Sequence, residues 1–304
     1  MTLRFGVANS QRRIAVLAIL LSGALAAAQS AVAQAAVGQD SFGSSERIGA
    51  DSSVDWEKAT LSLILSATVA DSGKNAPAAA YRSEQDIDRS LPQMLARAIL
   101  PLQVDSLHTA ADLVTDSPGL YQSFGAVSNQ AQKGYPTYSS DLHTVTIPYG
   151  IPLFPAIGTL FIQHTEPTQI NRTLRWVPTN KFTGLVIYAK GNLPLHGTAK
   201  SDFLAPCLFP KILDSNMRTV VKNQQMDPSY LMKWGAVAYT QGFGENDFID
   251  RIGLSPLRVV ALGLFGKTPT DPIISADDAD KLLSTDNNRR ILAQGRILII
   301  YGSP

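Results

Sequence analysis

The sequence predicts an α/β domain in which helices pack against a mixed sheet, and three patterns carry that prediction. Thr60 to Val69 alternates, with Leu61, Leu63, Leu65, Ala67 and Val69 on one face and Thr60, Ser62, Ser66 and Thr68 on the other. That period of two belongs to a strand packed on one side, with Ile64 as the exception on its polar face. In Ala78 to Leu100 the period changes: Ile87, Leu91, Met94, Leu95, Ala98 and Ile99 recur at three- and four-residue spacing, the stripe of an amphipathic helix. Gly184 to Ala189, Leu257 to Phe265 and Arg296 to Tyr301 are short apolar runs, read as buried strands.

The bulk composition supports a packed core: 304 residues, 45% of them hydrophobic, with a formal net charge of +1. Residues 1–33 hold Arg4, Arg12 and Arg13 and no acid, so the rest of the chain carries 23 basic against 25 acidic residues, a balance of −2. A near-neutral chain with interspersed signs lacks the footprint of phosphate neutralisation, which argues against a nucleic-acid partner.

From the start of the chain, residues 1–33 read as a secretory signal peptide. Arg12 and Arg13 form the positive region, Ile14 to Ala28 the apolar region, and Ala31-Val32-Ala33 before Gln34 the small-residue cleavage site; Ala26-Ala27-Ala28 is an alternative. An uncleaved anchor is the weaker reading, because the apolar run is shorter than the ~20 residues that cross a bilayer. No other stretch is apolar enough to span, and no cysteine follows for a lipid anchor. The expectation is a mature chain, cut between Ala33 and Gln34, located in the periplasm.

Residues 34–53, rich in Ala, Gly, Ser and Asp, read as a disordered leader, with order starting near Trp56. Residues 54–304 read as one α/β unit, with two lobes split near 148–180 as the alternative. Pro92 predicts a kink in the Ala78–Leu100 helix, or two helices with Ser90 as N-cap of the second; Pro101 ends it. Leu102 to Asp105 reads as a short strand. Ser117-Pro118 opens a helix to about Gln130 that buries Leu120, Phe124 and Val127. Gly134 to Asp141 reads as a loop, and Leu142–Ile147 and Gly158–His164 as strands. After the Gly184–Ala189 strand, Leu208–Leu213 and Met217–Val221 form a hairpin, with Asp214 and Asn216 tolerating the positive φ of its turn. Asp227-Pro228 opens a helix that ends near Gly235, followed by a strand from Ala236 to Thr240. Gln241 to Gly253 is a loop with one helical turn at Phe248–Arg251, and Leu257–Phe265 reads as a central strand. Ser275 caps a helix through Leu283 with Asp278 in the capping-box position, a second helix surrounds Arg289 to Ala293, and Gly295 precedes the last strand.

Signals for chemistry are weak. Gly266-Lys267-Thr268 lacks the earlier glycine of a phosphate loop, Ala261 standing there, and Pro269 prevents the helix that would follow, so a turn is the reading. In Gly253-Leu254-Ser255-Pro256-Leu257 the second glycine of a nucleophile elbow is replaced by Leu257. His108, His143, His164 and His196 share no metal-ligand spacing. Asp277, Asp278 and Asp280 fail the calcium-loop pattern at Lys281 and suit the first turn of a helix. Cys207, the single cysteine, reads as a small buried hydrophobe or, more sharply, as an intermolecular disulfide. Tyr81, Tyr121, Tyr135, Tyr138, Tyr149 and Tyr188 suit either an interaction surface or half-buried strand positions.

A resemblance enters through Phe182-Thr183-Gly184-Leu185-Val186-Ile187 with Gly191, Pro210-Lys211-Ile212-Leu213-Asp214, Gly235-Ala236-Val237-Ala238-Tyr239, Ile274-Ser275 with Asp278, and Gly295-Arg296-Ile297-Leu298-Ile299-Ile300. From Phe182 to Tyr301 this pattern resembles the bacterial family of Lpp-type envelope lipoproteins and flagellar basal-disk and H-ring assembly proteins, in a longer exported version like that of spirochaetes. Two departures stand out: no lipidation cysteine, and Tyr188 and Lys190 where many relatives carry Asp and Arg. The resemblance implies an Lpp-type fold in the C-terminal half, no catalytic residues, no cofactor and no metal. It also implies a non-enzymatic structural or assembly role around the periplasmic flagellar motor, with envelope or motor proteins, or a second copy, as partners. The competing expectation is a periplasmic ligand-binding or sensing domain with its pocket between the Gly191–Phe203 and Gln241–Gly253 loops.

Overall fold

The computed structural model describes residues 48–69 and 76–302. The expected signal peptide with its cleavage site at Ala33 and Gln34, and residues 34–47 of the expected leader, lie outside them. The remainder of that leader is a correction. Ile48–Asp55 is a strand, β1, paired antiparallel with β2 (Thr60–Thr68) from Ile48↔Ala67 to Asp55↔Thr60. Its polar sequence buries little, so hydrogen bonding to β2, with Ile48 and Val54 on the core, orders it rather than its own hydrophobicity.

In β2 the alternation places Leu61, Leu63, Leu65 and Ala67 in the core, with Val69 buried just beyond the strand, and leaves Ile64 outside. Helix α1 (Ala76–Ile99) runs through Pro92 as one helix and buries Ile87, Leu91, Met94, Leu95, Ala98 and Ile99. Ser90 is not an N-cap: its Oγ donates back to the Ile87 carbonyl at 2.8 Å, and core packing holds the helix together across the missing Pro92 N–H. Leu102–Asp105 is a tight loop rather than a strand, its Val104 and Asp105 N–H groups sharing the His108 carbonyl. Thr109 then caps α2 (Ala110–Asp116) through a box with Asp112, followed by α3 (Gly119–Ala126), which continues as a 3-10 turn to Gln130 and buries Phe124 and Val127 while Leu120 is half-buried. The expected loop at 134–141 contains β4 (Thr137–Tyr138), after β3 (Gln132–Lys133); both pair with β5 (Thr144–Pro152). Gly158–Phe161 is a 3-10 turn, not a strand. The first lobe is therefore an antiparallel sheet of order β1-β2-β5-β3 under α1.

The second lobe has two four-stranded sheets and a small ribbon. Its elements are β6 (Leu185–Ala189), the ribbon β7 (Leu193–Pro194) with β8 (Ser201–Asp202), the hairpin β9 (Ile212–Asp214) and β10 (Thr219–Val221), α4 (Pro228–Trp234), β11 (Ala238–Thr240), α5 (Ile249–Ile252), β12 (Leu257–Val260), β13 (Gly263–Phe265), β14 (Asp271–Ile274), α6 (Ala276–Leu283), α7 (Asp286–Ala293) and β15 (Ile297–Tyr301). One sheet is parallel, of order β11-β15-β6-β12, and the other runs β10-β9-β14-β13. The expected central strand at 257–265 is two strands in different sheets, and β12 is an edge; the centre belongs to β6 and β15, buried throughout but for the half-buried Tyr188 and Tyr301. In the hairpin, positive φ falls on Met217 (61°) rather than on Asp214 or Asn216.

The chain is thus a mixed α/β protein. One apolar cluster runs from Leu61 through Ile157 to Ile299, so the two lobes share a core. Backbone bonds join them, Leu208 and Phe209 N–H to the Gln103 and Val104 carbonyls at 3.1 and 2.8 Å.

Candidate functional site

Four of the motif residues meet at one end of the parallel sheet, around Arg251. Its guanidinium, on a residue 8% exposed, donates to the carbonyls of Trp234 (2.6 Å), Gly235 (2.8 Å) and Gly295 (2.8 Å). These carbonyls close α4 and α7, and the negative end of a helix favours a cation. Burial pushes Arg251 down to about 9, so it is charged at neutral pH. Thr183 Oγ1 donates to the Ile252 carbonyl at 2.7 Å and accepts from Ser255 N at 3.0 Å. Gly184 lies where a Cβ would stand 2.5 Å from the Ile252 carbonyl oxygen. This knot of turn glycines, a hydroxyl and one guanidinium is a device for closing helices onto the sheet.

The other motif residues do local work elsewhere. Gly191 turns the chain after β6 at φ 83°, and Pro210 is buried ahead of β9. Asp214, fully buried, accepts from Asn216 N, Arg218 N and Arg218 Nε at 2.9, 2.8 and 2.6 Å and so builds the hairpin turn. Ser275 caps α6 as expected, accepting from Asp278 N at 3.1 Å while donating to the Asp278 carboxylate.

A second group could not be expected from local sequence. Residues 162–184 form a strap without regular structure that crosses onto the second lobe. It is stitched down along its length: His164 Nε2 to the Met226 carbonyl (2.9 Å), Thr168 N to the Gln224 carbonyl (2.8 Å), and Phe182 N to Oδ1 of the buried Asn288 (3.1 Å). Its centre is pinned by Asp280, 3% exposed, which accepts from Thr173 Oγ1 (2.9 Å), from Arg175 Nε (2.9 Å) and Nη2, and from Arg218 Nη2 (3.3 Å). Burial alone would raise Asp280, but Arg175, Thr173 and Arg218 hold its carboxyl below the usual range. Above this anchor Leu174 and Trp176 are 96% and 86% exposed. Two grooves flank the strap. One, of about 340 Å³, is lined by Arg172, Leu174, Arg175, Arg218, Asp280 and Leu283 among others. The larger, of about 850 Å³, runs from Arg172 to Asn180 and on to Thr285. Neither lies between the Gly191–Phe203 and Gln241–Gly253 loops, where a pocket was expected.

The remaining candidates are dispersed. His108 Nδ1 sits 3.0 Å from Asp105 Oδ1, His143 and His196 are exposed, and among the described residues no group of three or more His, Cys, Asp or Glu suits a metal. Cys207 is 1% exposed, beside Tyr239, whose hydroxyl donates to the Cys207 carbonyl at 3.1 Å. That burial corrects the intermolecular-disulfide reading, since the thiol cannot meet a second chain in this fold. Tyr81, Tyr121, Tyr135 and Tyr138 are exposed and Tyr149 is buried; half-buried Tyr188 donates to Glu245 at 2.7 Å, and Glu245 is also gripped by Arg258. Lys190 Nζ lies 3.7 Å from the Phe243 ring centre. Among the described residues no helix is long and apolar enough to cross a membrane.

Residues 47–160 match the family model described as Treponema pallidum Tp0624, N-terminal domain, and residues 184–303 match that described as Treponema pallidum Tp0624, second domain. No curated protein matches the chain. The interval between the two matches, 161–183, covers the strap but for its last residue, Gly184.

Proposed function

We propose that this chain is a non-enzymatic exported envelope protein that assembles with a protein partner through its strap, as a structural component around the periplasmic flagellar motor. One observation carries the assembly reading: an exposed Leu174 and Trp176 on a segment fixed from beneath by Asp280 and Asn288. A bulky aromatic on a segment already pinned at its neighbours spares a partner the cost of ordering that segment, and tryptophan and arginine dominate interface hot spots. The placement at the motor rests on the resemblance of Phe182 to Tyr301; the Tp0624 matches name neither a partner nor a reaction. The motif residues act as caps and turns, which fits a protein whose work is binding rather than chemistry.

The test is a photo-crosslinking residue at position 176 in the native host. The reading predicts one discrete adduct that weakens when Asp280→Ala loosens the strap. Irradiation that yields no adduct from correctly exported protein would contradict it.

A further inference from the structure

Resting on that reading, we infer that the partner presents an acidic peptide segment, with an apolar residue beside its carboxylates, to the groove beside Leu174. Three guanidiniums converge there. Arg172, Arg175 and Arg218 line a groove of about 340 Å³ whose other walls include Leu174 and Leu283. Arg218 is held through Nε by buried Asp214 and through Nη2 by Asp280; Arg175 is held by Asp280 through Nε and Nη2. These bonds leave Nη1 of each guanidinium without an acceptor among the described residues, on side chains 63% and 53% exposed for Arg175 and Arg218. Arg172 is exposed and makes no ion pair among the described residues. Set against the two buried carboxylates the three guanidiniums leave one positive charge, which among the described residues only the exposed carboxylate of Asp277 offsets. Asp277, 3.5 Å from Arg175, has an 86% exposed side chain and is displaced at little cost.

Buried aspartates fix the guanidinium planes of Arg175 and Arg218 before a ligand arrives, leaving Nη1 of each to donate to a carboxylate, while the whole guanidinium of Arg172 is open to one. The apolar wall of Leu174 and Leu283 supplies the complementary site for a neighbouring aliphatic or aromatic side chain. A bare inorganic anion would leave that wall uncovered, which is why a peptide is the better occupant.

The experiment uses the full exported chain and two labelled probes, the peptide Gly-Phe-Glu-Phe-Glu-Gly and its counterpart with both glutamates replaced by glutamine, followed by fluorescence anisotropy. The acidic probe is expected to bind about tenfold or more tighter than the glutamine probe, to weaken with salt, and to lose about tenfold with Arg172→Gln or Leu174→Ser. Arg172 pairs with nothing among the described residues, so its replacement is expected to leave folding intact, and unchanged melting checks this. Equal binding of both probes, or an acidic probe indifferent to Arg172→Gln, overturns the inference. Inorganic phosphate that displaces the acidic probe at lower concentration than free glutamate overturns the peptide class in favour of a phosphate ligand. A crosslink at position 176 without acidic-probe binding leaves the assembly reading standing and removes this one; probe binding without a crosslink does the reverse.

Discussion

Arg251 donates through Nε to the Gly295 carbonyl across 2.8 Å and, through Nη2 of the same guanidinium edge, to the Gly235 carbonyl at 2.8 Å. One buried side chain therefore closes two helices, α4 and α7, against the end of the parallel sheet. Arg251→Met removes three hydrogen bonds and strands three carbonyls, so we expect a loss of about 3 kcal/mol in denaturant unfolding. Arg251→Lys, with one point of attachment, should recover only a part.

Gly235 couples the lobes. It sits at φ 78° and ψ 179°, a region essentially closed to other residues, and a Cβ there would stand 2.4 Å from the Phe154 ring of the first lobe. Gly235→Ala should cost about 3 kcal/mol, from backbone strain of ~1–3 kcal/mol plus the clash. Adding Phe154→Leu should restore the clash portion and not the strain, a difference that a double-mutant cycle reads directly.

Asp271 sets the pH dependence. It is fully buried, and its Oδ2 and the nearby Ser106 Oγ have no hydrogen-bond partner among the described residues. Burial pushes its carboxyl up, against the opposing pull of hydrogen bonds from the Lys211 N–H and Thr270 Oγ1. A carboxyl with a raised folded pKa contributes its stability when protonated, below its unfolded value near 3.8, and loses it as pH rises through the folded value. Asp271→Asn should therefore stabilise the protein at neutral pH by about 1 kcal/mol and flatten melting temperature against pH above 4. A variant less stable at pH 7 than the parent would reject this assignment.

Cys207 should be silent. Burial holds its thiol well above the ordinary range, with the Asp271 charge adding to the effect, so thiolate is scarce as well as inaccessible. A thiol reagent should label none of the native protein within minutes and all of it after denaturation. A non-reducing gel should show no disulfide-linked dimer.

The sequence made local periodicity legible, and little else. The alternation of Thr60–Val69 and the stripe of Ile87 to Ile99 are each read within one element, and both hold in the fold. Caps at Asp227 and Ser275 were visible for the same reason. Strand β1 was invisible because IGADSSVD is ordered by its neighbour, not by its own side chains. The split of Leu257–Phe265 was invisible because both pieces are apolar and only their partners, β6 and β14, tell them apart. Thr183, Gly184, Gly235 and Gly295 could be singled out, but Arg251, which ties them together, carried no local signature. The strap anchor joins Asp280 to Arg175 and Arg218 across separations of 105 and 62 residues, beyond any periodic signal.

The central claim is association through the strap around the flagellar motor. Electron cryo-tomography of motors in the native host tests it most directly, comparing a strain without this gene, one complemented with the parent chain, and one with the Leu174→Ser and Trp176→Ser double variant. The account predicts a periplasmic density that is lost without the gene, restored by the parent, and not restored by a double variant exported at the parent level. Motors identical in all three strains would contradict it.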